Sequence, residues 1–136
     1  MTNGIILLVD DSKSILELAE NLVRRHCSKS KILLAPTIEV ATWTFEKYKK
    51  QLRIVLLDGS LDNNHNCDTL PLAIAIKAAK DRHEFLGEAI AISANSEHND
   101  KLIMAGCIDA LHFLNVRSCS TIKLEVIKKV AKELSH

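Results

Sequence analysis

Five short apolar runs alternate with helical patterns from one end of this chain to the other, and that alternation narrows the fold more than any other feature. The runs fall at 5–9, 31–35, 54–58, 89–93 and 109–113. They are near-continuously apolar, as expected of strands buried on both faces. Between and after them lie helical patterns. The first opens on Ser14 followed three residues later by Glu17, a capping-box spacing, and carries Ile15, Leu18, Ala19, Leu22 and Val23 on one face. The second covers about 38–51 with Ile38, Ala41, Phe45, Tyr48 and Leu52 as its inward stripe; the third covers about 69–82 and the fourth about 97–105. The last, about 119–134, bears an apolar band of Ile122, Val126, Ile127, Val130, Ala131 and Leu134, with Glu125 and Lys129 at helical i, i+4 spacing. Five strands alternating with five helices predict a flavodoxin-like (βα)5 doubly wound parallel sheet of order 2-1-3-4-5. The chain is too short for a closed eight-stranded barrel.

At 136 residues the chain is expected to form one domain over 1–136, with no room for a separate output domain. Lys and Arg total 18 against 17 Asp and Glu, so charge gives no argument for nucleic-acid or membrane binding. No apolar stretch is long enough to span a bilayer, and the N-terminus lacks a basic, cleavable leader. Cys27, Cys67, Cys107 and Cys119 form no C-x-x-C pair and read as free thiols of a reducing cytoplasm.

Two of the strands end in acids. Ile5–Val9 leads into Asp10 and Asp11, and the third run ends on Asp58-Gly59-Ser60. In an open α/β sheet, ligands bind beyond the carboxyl ends of the strands. Three carboxylates gathered there make a hard oxygen pocket suited to Mg²⁺, and one of them can also act as a nucleophile. Taken singly, Asp10 and Asp11 are also good helix-capping residues and Asp58 a plain strand end.

Four segments in order resemble the receiver domain of bacterial response regulators: Leu7-Leu8-Val9-Asp10-Asp11-Ser12, Val55-Leu56-Leu57-Asp58, Ala91-Ile92-Ser93-Ala94-Asn95, and Ala105-Gly106-Cys107-Ile108-Asp109-Ala110-Leu111. The resemblance implies that Asp58 accepts a phosphoryl group from a histidine kinase or histidine phosphotransfer protein. It implies that Asp11, Asp58 and the backbone carbonyl of Ser60 hold Mg²⁺, and that Asp10 acts mainly through the metal's water shell. It implies that Ser93 hydrogen-bonds the phosphoryl group and moves with it. A stand-alone phosphorelay protein of this kind signals by protein–protein contact and is not an enzyme beyond assisting its own phosphorylation and dephosphorylation. A homodimer is compatible with the sequence. The face around the fourth helix, fifth strand and last helix, with Ile103, Leu111 and Lys123, is the implied output surface.

The resemblance breaks at one point. Counting from Gly106, the family's lysine near the end of the fifth strand falls on Phe113, the following proline on Leu114, and its aromatic switch on Ala110. Lys101 and Lys123 flank a stretch without lysine. Three readings stay open: phosphorylation with altered coupling, a phosphorylation-independent pseudo-receiver that serves only as an interaction module, or a site whose missing cation is Arg117 folded back. The loop after Asp58 carries Asp62, His65, Cys67 and Asp68, a spacing that matches no tight zinc pattern. Val40 and Trp43, and Leu72 and Ile76, lie off the expected inward stripes and are candidates for exposed docking patches.

Overall fold

The computed structural model describes residues 4–26, 31–61 and 66–134. Its elements in chain order are β1 (Ile5–Val9), α1 (Lys13–His26), β2 (Lys31–Ala35), α2 (Ile38–Tyr48), β3 (Leu52–Leu57), α3 (Leu70–Asp81), β4 (Glu88–Ala91), α4 (Ser96–Met104), β5 (Ile108–Asp109), α5 (Ala110–Leu114) and α6 (Ile122–Glu133). The five strands form one parallel sheet of order β2-β1-β3-β4-β5, the flavodoxin-like order expected. β1 lies in the middle of three strands, so Asp10 leaves the sheet directly beside Asp58.

Strand alternation divides the core into two layers. Leu7, Val9, Val55 and Leu57 face Ala41 and Phe45 of α2, Leu72, Ala73 and Ile76 of α3, and Leu102 of α4. Ile6, Leu8, Leu56 and Ile90 face Ala19 and Val23 of α1 and Val126, Ile127 and Val130 of α6. Phe45 and Phe85, both fully buried in the first layer, meet edge to face with centroids 5.5 Å apart.

Several boundaries differ from the sequence reading. α1 begins at Lys13, because Ser12, not Ser14, accepts from the Ile15 amide (3.4 Å). α2 stops at Tyr48, where a turn closed by Gln51 N to Tyr48 O (2.8 Å) redirects the chain into β3. The largest change concerns the fifth strand, expected over 109–113 and observed as only two residues. Asp109 accepts from the Leu111 amide at 3.0 Å, and this side-chain cap starts a helix where the pattern suggested a strand. That helix ends at Asn115 in the left-handed conformation (φ 60°), the usual stop signal filled here by Asn. Phe113 therefore sits on α5, packed against the layer shared by α1 and α6. Leu72 and Ile76 are buried, so the proposed patch on the third helix does not exist; Ile74 is the outward residue. Glu125 pairs with Lys128 rather than Lys129.

Candidate functional site

Asp58 is the first residue beyond β3. Its amide donates to Val9 O at 2.9 Å, which fixes it against the end of β1, and the residue is buried, with 8% exposure. Asp58 Oδ1 accepts from the Gly59 amide at 2.8 Å. The carbonyl of Asp58 accepts from the buried Thr69 hydroxyl at 2.6 Å, and Asp68 Oδ2 accepts from the Leu61 amide at 3.2 Å. These two bonds tie Asp58 and Leu61, on either side of Ser60, to the residues that lead into α3. Asp68 and Cys67 thus serve the loop and helix start, since Cys67 O accepts from Leu70 N. Asp62 and His65, the other two candidate ligands of that loop, lie outside the described residues.

Asp10 is fully buried. Its Oδ1 accepts from the Ser12 amide (2.9 Å), the bond that turns the chain from β1 into α1. Asp11 is exposed beside it. Asp10, Asp11 and Asp58 each offer a carboxylate oxygen within 4.8 Å of the others, and they are the one such cluster of three or more potential ligands among the described residues.

The cation of this site comes from an unexpected element. Lys123, the second residue of α6, places Nζ 2.8 Å from Asp10 Oδ2 and 3.3 Å from Asp58 Oδ2, with its side chain 19% exposed. The contact to Asp10 is an ion pair by distance, short of an aligned hydrogen bond. Lys123 therefore lies in the acidic pocket and not on the output face expected for it. Arg117 is exposed in the segment between α5 and α6. None of the three readings of the Phe113 break anticipated this solution, because the family spacing directs attention to residue 113. The one available signal was that Lys123 is the first lysine after that position.

Electrostatically, burial and the neighbouring Asp10 push the Asp58 carboxyl above its ordinary range, against a pull downward from Lys123 and the Gly59 amide. Burial pulls the Lys123 ammonium down, but its contacts with Asp10 and Asp58 outweigh this and leave it raised. Two carboxylates and one ammonium leave the pocket net negative before Asp11 is counted, and a divalent cation answers that excess. The donor set is all oxygen, and one face is open to solvent through Asp11, so the residues present fit a hard metal ion.

The opposite wall belongs to β4 and α4. Ser93, 5% exposed, lies two residues beyond β4. Its hydroxyl accepts from the Asn95 amide (3.0 Å), and its backbone is clamped on both sides by the Asn99 amide group, at 2.9 and 2.6 Å. Asn95 caps α4 by accepting from the Glu97 and His98 amides. His98 lies against Gly59, where a Cβ would stand 2.4 Å from the His98 Cβ. The resulting open pocket is lined by Asp11, Asp58, Ser60, Ser93, His98 and Lys123. All five residues expected from the sequence, Asp10, Asp11, Asp58, Ser60 and Ser93, are brought to this one end of the sheet; His98 and Lys123 are additions. Ala110, at the switch position, is buried and carries no ring to rotate.

On the outer face of α2, Trp43 is 61% exposed, with Lys47 Nζ 4.8 Å above its ring. Cys67, Cys107 and Cys119 are free thiols, and Cys27 lies outside the described residues. No helix among the described residues is long and apolar enough to cross a membrane.

No protein-family model matches the chain, and no curated protein matches it. Solved structures do. A response regulator receiver domain protein from Clostridium thermocellum superposes with a TM-score of 0.66 at 14% identity, covering 96% of this chain and 94% of that one. The receiver domain of a Saccharomyces cerevisiae response regulator, solved together with a histidine phosphotransfer signaling protein, gives 0.61 at 17% identity over 79% of this chain and 76% of that one. The Mn²⁺-bound form of the response regulator Rcp1 gives 0.61 at 16% identity, over 93% and 91%.

Proposed function

From the receiver-domain fold, we propose that this protein is a phosphoryl-accepting receiver of a two-component pathway, with Asp58 as acceptor. The observation that carries the reading is the joint placement of Asp10, Asp11 and Asp58 with Lys123 at the carboxyl ends of β1 and β3. Asp58 is held by the Val9 and Gly59 bonds with its carboxylate toward the open pocket. As acceptor it forms an O–P bond while the donor's P–N bond breaks, and the departing nitrogen keeps the electron pair. The donor is a phosphohistidine of a kinase or phosphotransfer protein. The similar yeast receiver, solved with a phosphotransfer protein, supports that partner class.

Asp11, Asp58 and the Ser60 carbonyl would hold Mg²⁺, with Asp10 behind them. A similar response regulator solved in a Mn²⁺-bound form supports a divalent ion as the kind of ligand. Such an ion neutralises charge on the phosphoryl oxygens during transfer. Lys123 supplies the second positive charge, and Ser93 a hydroxyl that can turn from the Asn95 amide toward a phosphoryl oxygen. The protein's catalysis is confined to its own phosphorylation and hydrolysis. The reading as a phosphorylation-independent module rested on the absence of a cation at residue 113; Lys123 removes that ground.

The test is intact-protein mass after incubation with Mg²⁺ and a histidine-phosphorylated phosphotransfer protein, beside Asp58→Asn. The reading predicts one phosphoryl adduct on the wild type, absent from the variant and from a metal-free control. An adduct that persists in Asp58→Asn would overturn the assignment of Asp58.

A further inference from the structure

We propose that the first turn of α6 is the element that reads the charge of the acidic pocket: Lys123 ties that turn to Asp10 and Asp58 in the unmodified protein and to the added phosphoryl dianion afterwards. The second half of the statement rests on the reading of Asp58 as phosphoryl acceptor; the first half does not.

The two ends of α6 are held differently. From Val126 onward the helix is anchored by buried Val126, Ile127, Val130 and Ala131. Its middle is also pinned to α5, where Lys129 Nζ donates to Phe113 O and stands 4.5 Å over the Phe113 ring. The amino-terminal turn has much less. Thr121 makes no side-chain cap, and residues 115–121 before it have no regular structure and are largely exposed. Ile122 packs against the core only in part. A lysine in a first turn also opposes the helix dipole, where a carboxylate would be favoured. What holds this turn against the sheet is therefore Lys123, with its ammonium 2.8 Å from Asp10 and 3.3 Å from Asp58.

A cation delivered by a strand is fixed by the sheet ladder. A cation delivered by a helix terminus carries that terminus with it. Adding a dianion at Asp58 strengthens the pull on Lys123, and the turn responds together with the exposed segment before it. An aromatic rotamer switch has no counterpart at buried Ala110, so this tether offers the coupling that position lacks.

The experiment is amide hydrogen exchange by NMR on the full chain, comparing the Glu125 amide with the Leu134 amide. Each closes a helical bond of 3.0 Å, to Thr121 O and Val130 O respectively, at opposite ends of α6. Without any donor, Lys123→Met is expected to speed exchange at Glu125 by about tenfold relative to Leu134, and Lys123→Arg to retain most of the protection. Equal acceleration at both amides, or none at Glu125, overturns the proposal. With Mg²⁺ and acetyl phosphate, in protein whose adduct is verified by mass, Glu125 is expected to gain protection in the wild type and not in Lys123→Met. A verified adduct that leaves Glu125 unchanged overturns the coupling. Wild type that takes no adduct from either donor counts against the phosphoryl reading, while the donor-free comparison still decides the tether.

Discussion

Replacing Lys123 with Met tests the electrostatic reading of the pocket. The side chain keeps its length and loses its charge, leaving Asp10 fully buried and Asp58 nearly so without their cation. At an effective dielectric of about 20, unit charges at 2.8 and 3.3 Å attract by roughly 6 and 5 kcal/mol before desolvation. Desolvating the ammonium offsets much of that. The loss is also capped, because a carboxylate deprived of its cation takes up a proton instead. Removing one partner of a buried pair commonly costs about 3–5 kcal/mol; partial exposure of Lys123 brings the expectation here to about 2–3 kcal/mol near pH 7. For a domain of this size that is a fall of about 6–10 °C in Tm. Two further signatures separate electrostatics from lost packing. In mildly acid solution the loss is smaller than near pH 7, because a proton then replaces the cation on the raised Asp58 carboxyl. Mg²⁺ also stabilises Lys123→Met more than wild type, since the metal neutralises the same carboxylates. Urea unfolding at both pH values, with and without Mg²⁺, measures all three. A loss below about 0.5 kcal/mol, in the range of a surface pair, would refute the reasoning, as would one independent of pH and metal.

Other outcomes follow from the same geometry. Gly59→Ala places a Cβ 2.4 Å from the His98 Cβ and 2.7 Å from its Nδ1, so α4 must shift; a loss of about 1–3 kcal/mol in urea unfolding and weaker Mg²⁺ binding are expected. Phe113→Lys in the Lys123→Met background does not recover stability or Mg²⁺ response, because residue 113 lies on α5 against the hydrophobic layer; recovery by thermal denaturation would contradict the placement of α5. The Asp58 carboxyl is raised, so the folded protein binds that proton more tightly than the unfolded chain. Its contribution to stability is present below the unfolded value of 3.8 and is lost as pH rises through the folded value. Mg²⁺ competes with the same proton, so affinity measured by calorimetry should climb with pH through a point above the ordinary carboxylate range, and Asp58→Asn should flatten that climb.

The sheet was legible because apolar runs buried on both faces leave little choice of pattern, and the acids at their ends were legible because strand ends deliver them to one side. Asp10, Asp11 and Asp58 needed only the strand order to meet. The fifth strand was misread because Ala110-Leu111-His112-Phe113-Leu114 is apolar enough for either state, and a single Asp109 cap decided for helix. Lys123 was misplaced for a related reason. Its partners are 65 or more residues distant in the chain, and which face of α6 meets the pocket depends on how the helix packs, not on local spacing. His98 against Gly59 is a similar tertiary contact with no sequence signal of its own.

The central claim is that a phosphoryl group on Asp58 is received by an ammonium from the last helix. A crystal structure grown with Mg²⁺ and beryllium fluoride, a phosphoryl mimic, tests it most directly. The account predicts the fluoride on Asp58, with Lys123 Nζ moved from Asp10 to a fluorine atom. A fluoride on Asp58 with Lys123 still on Asp10, or an acidic pocket that takes up neither the metal nor the mimic, would contradict it.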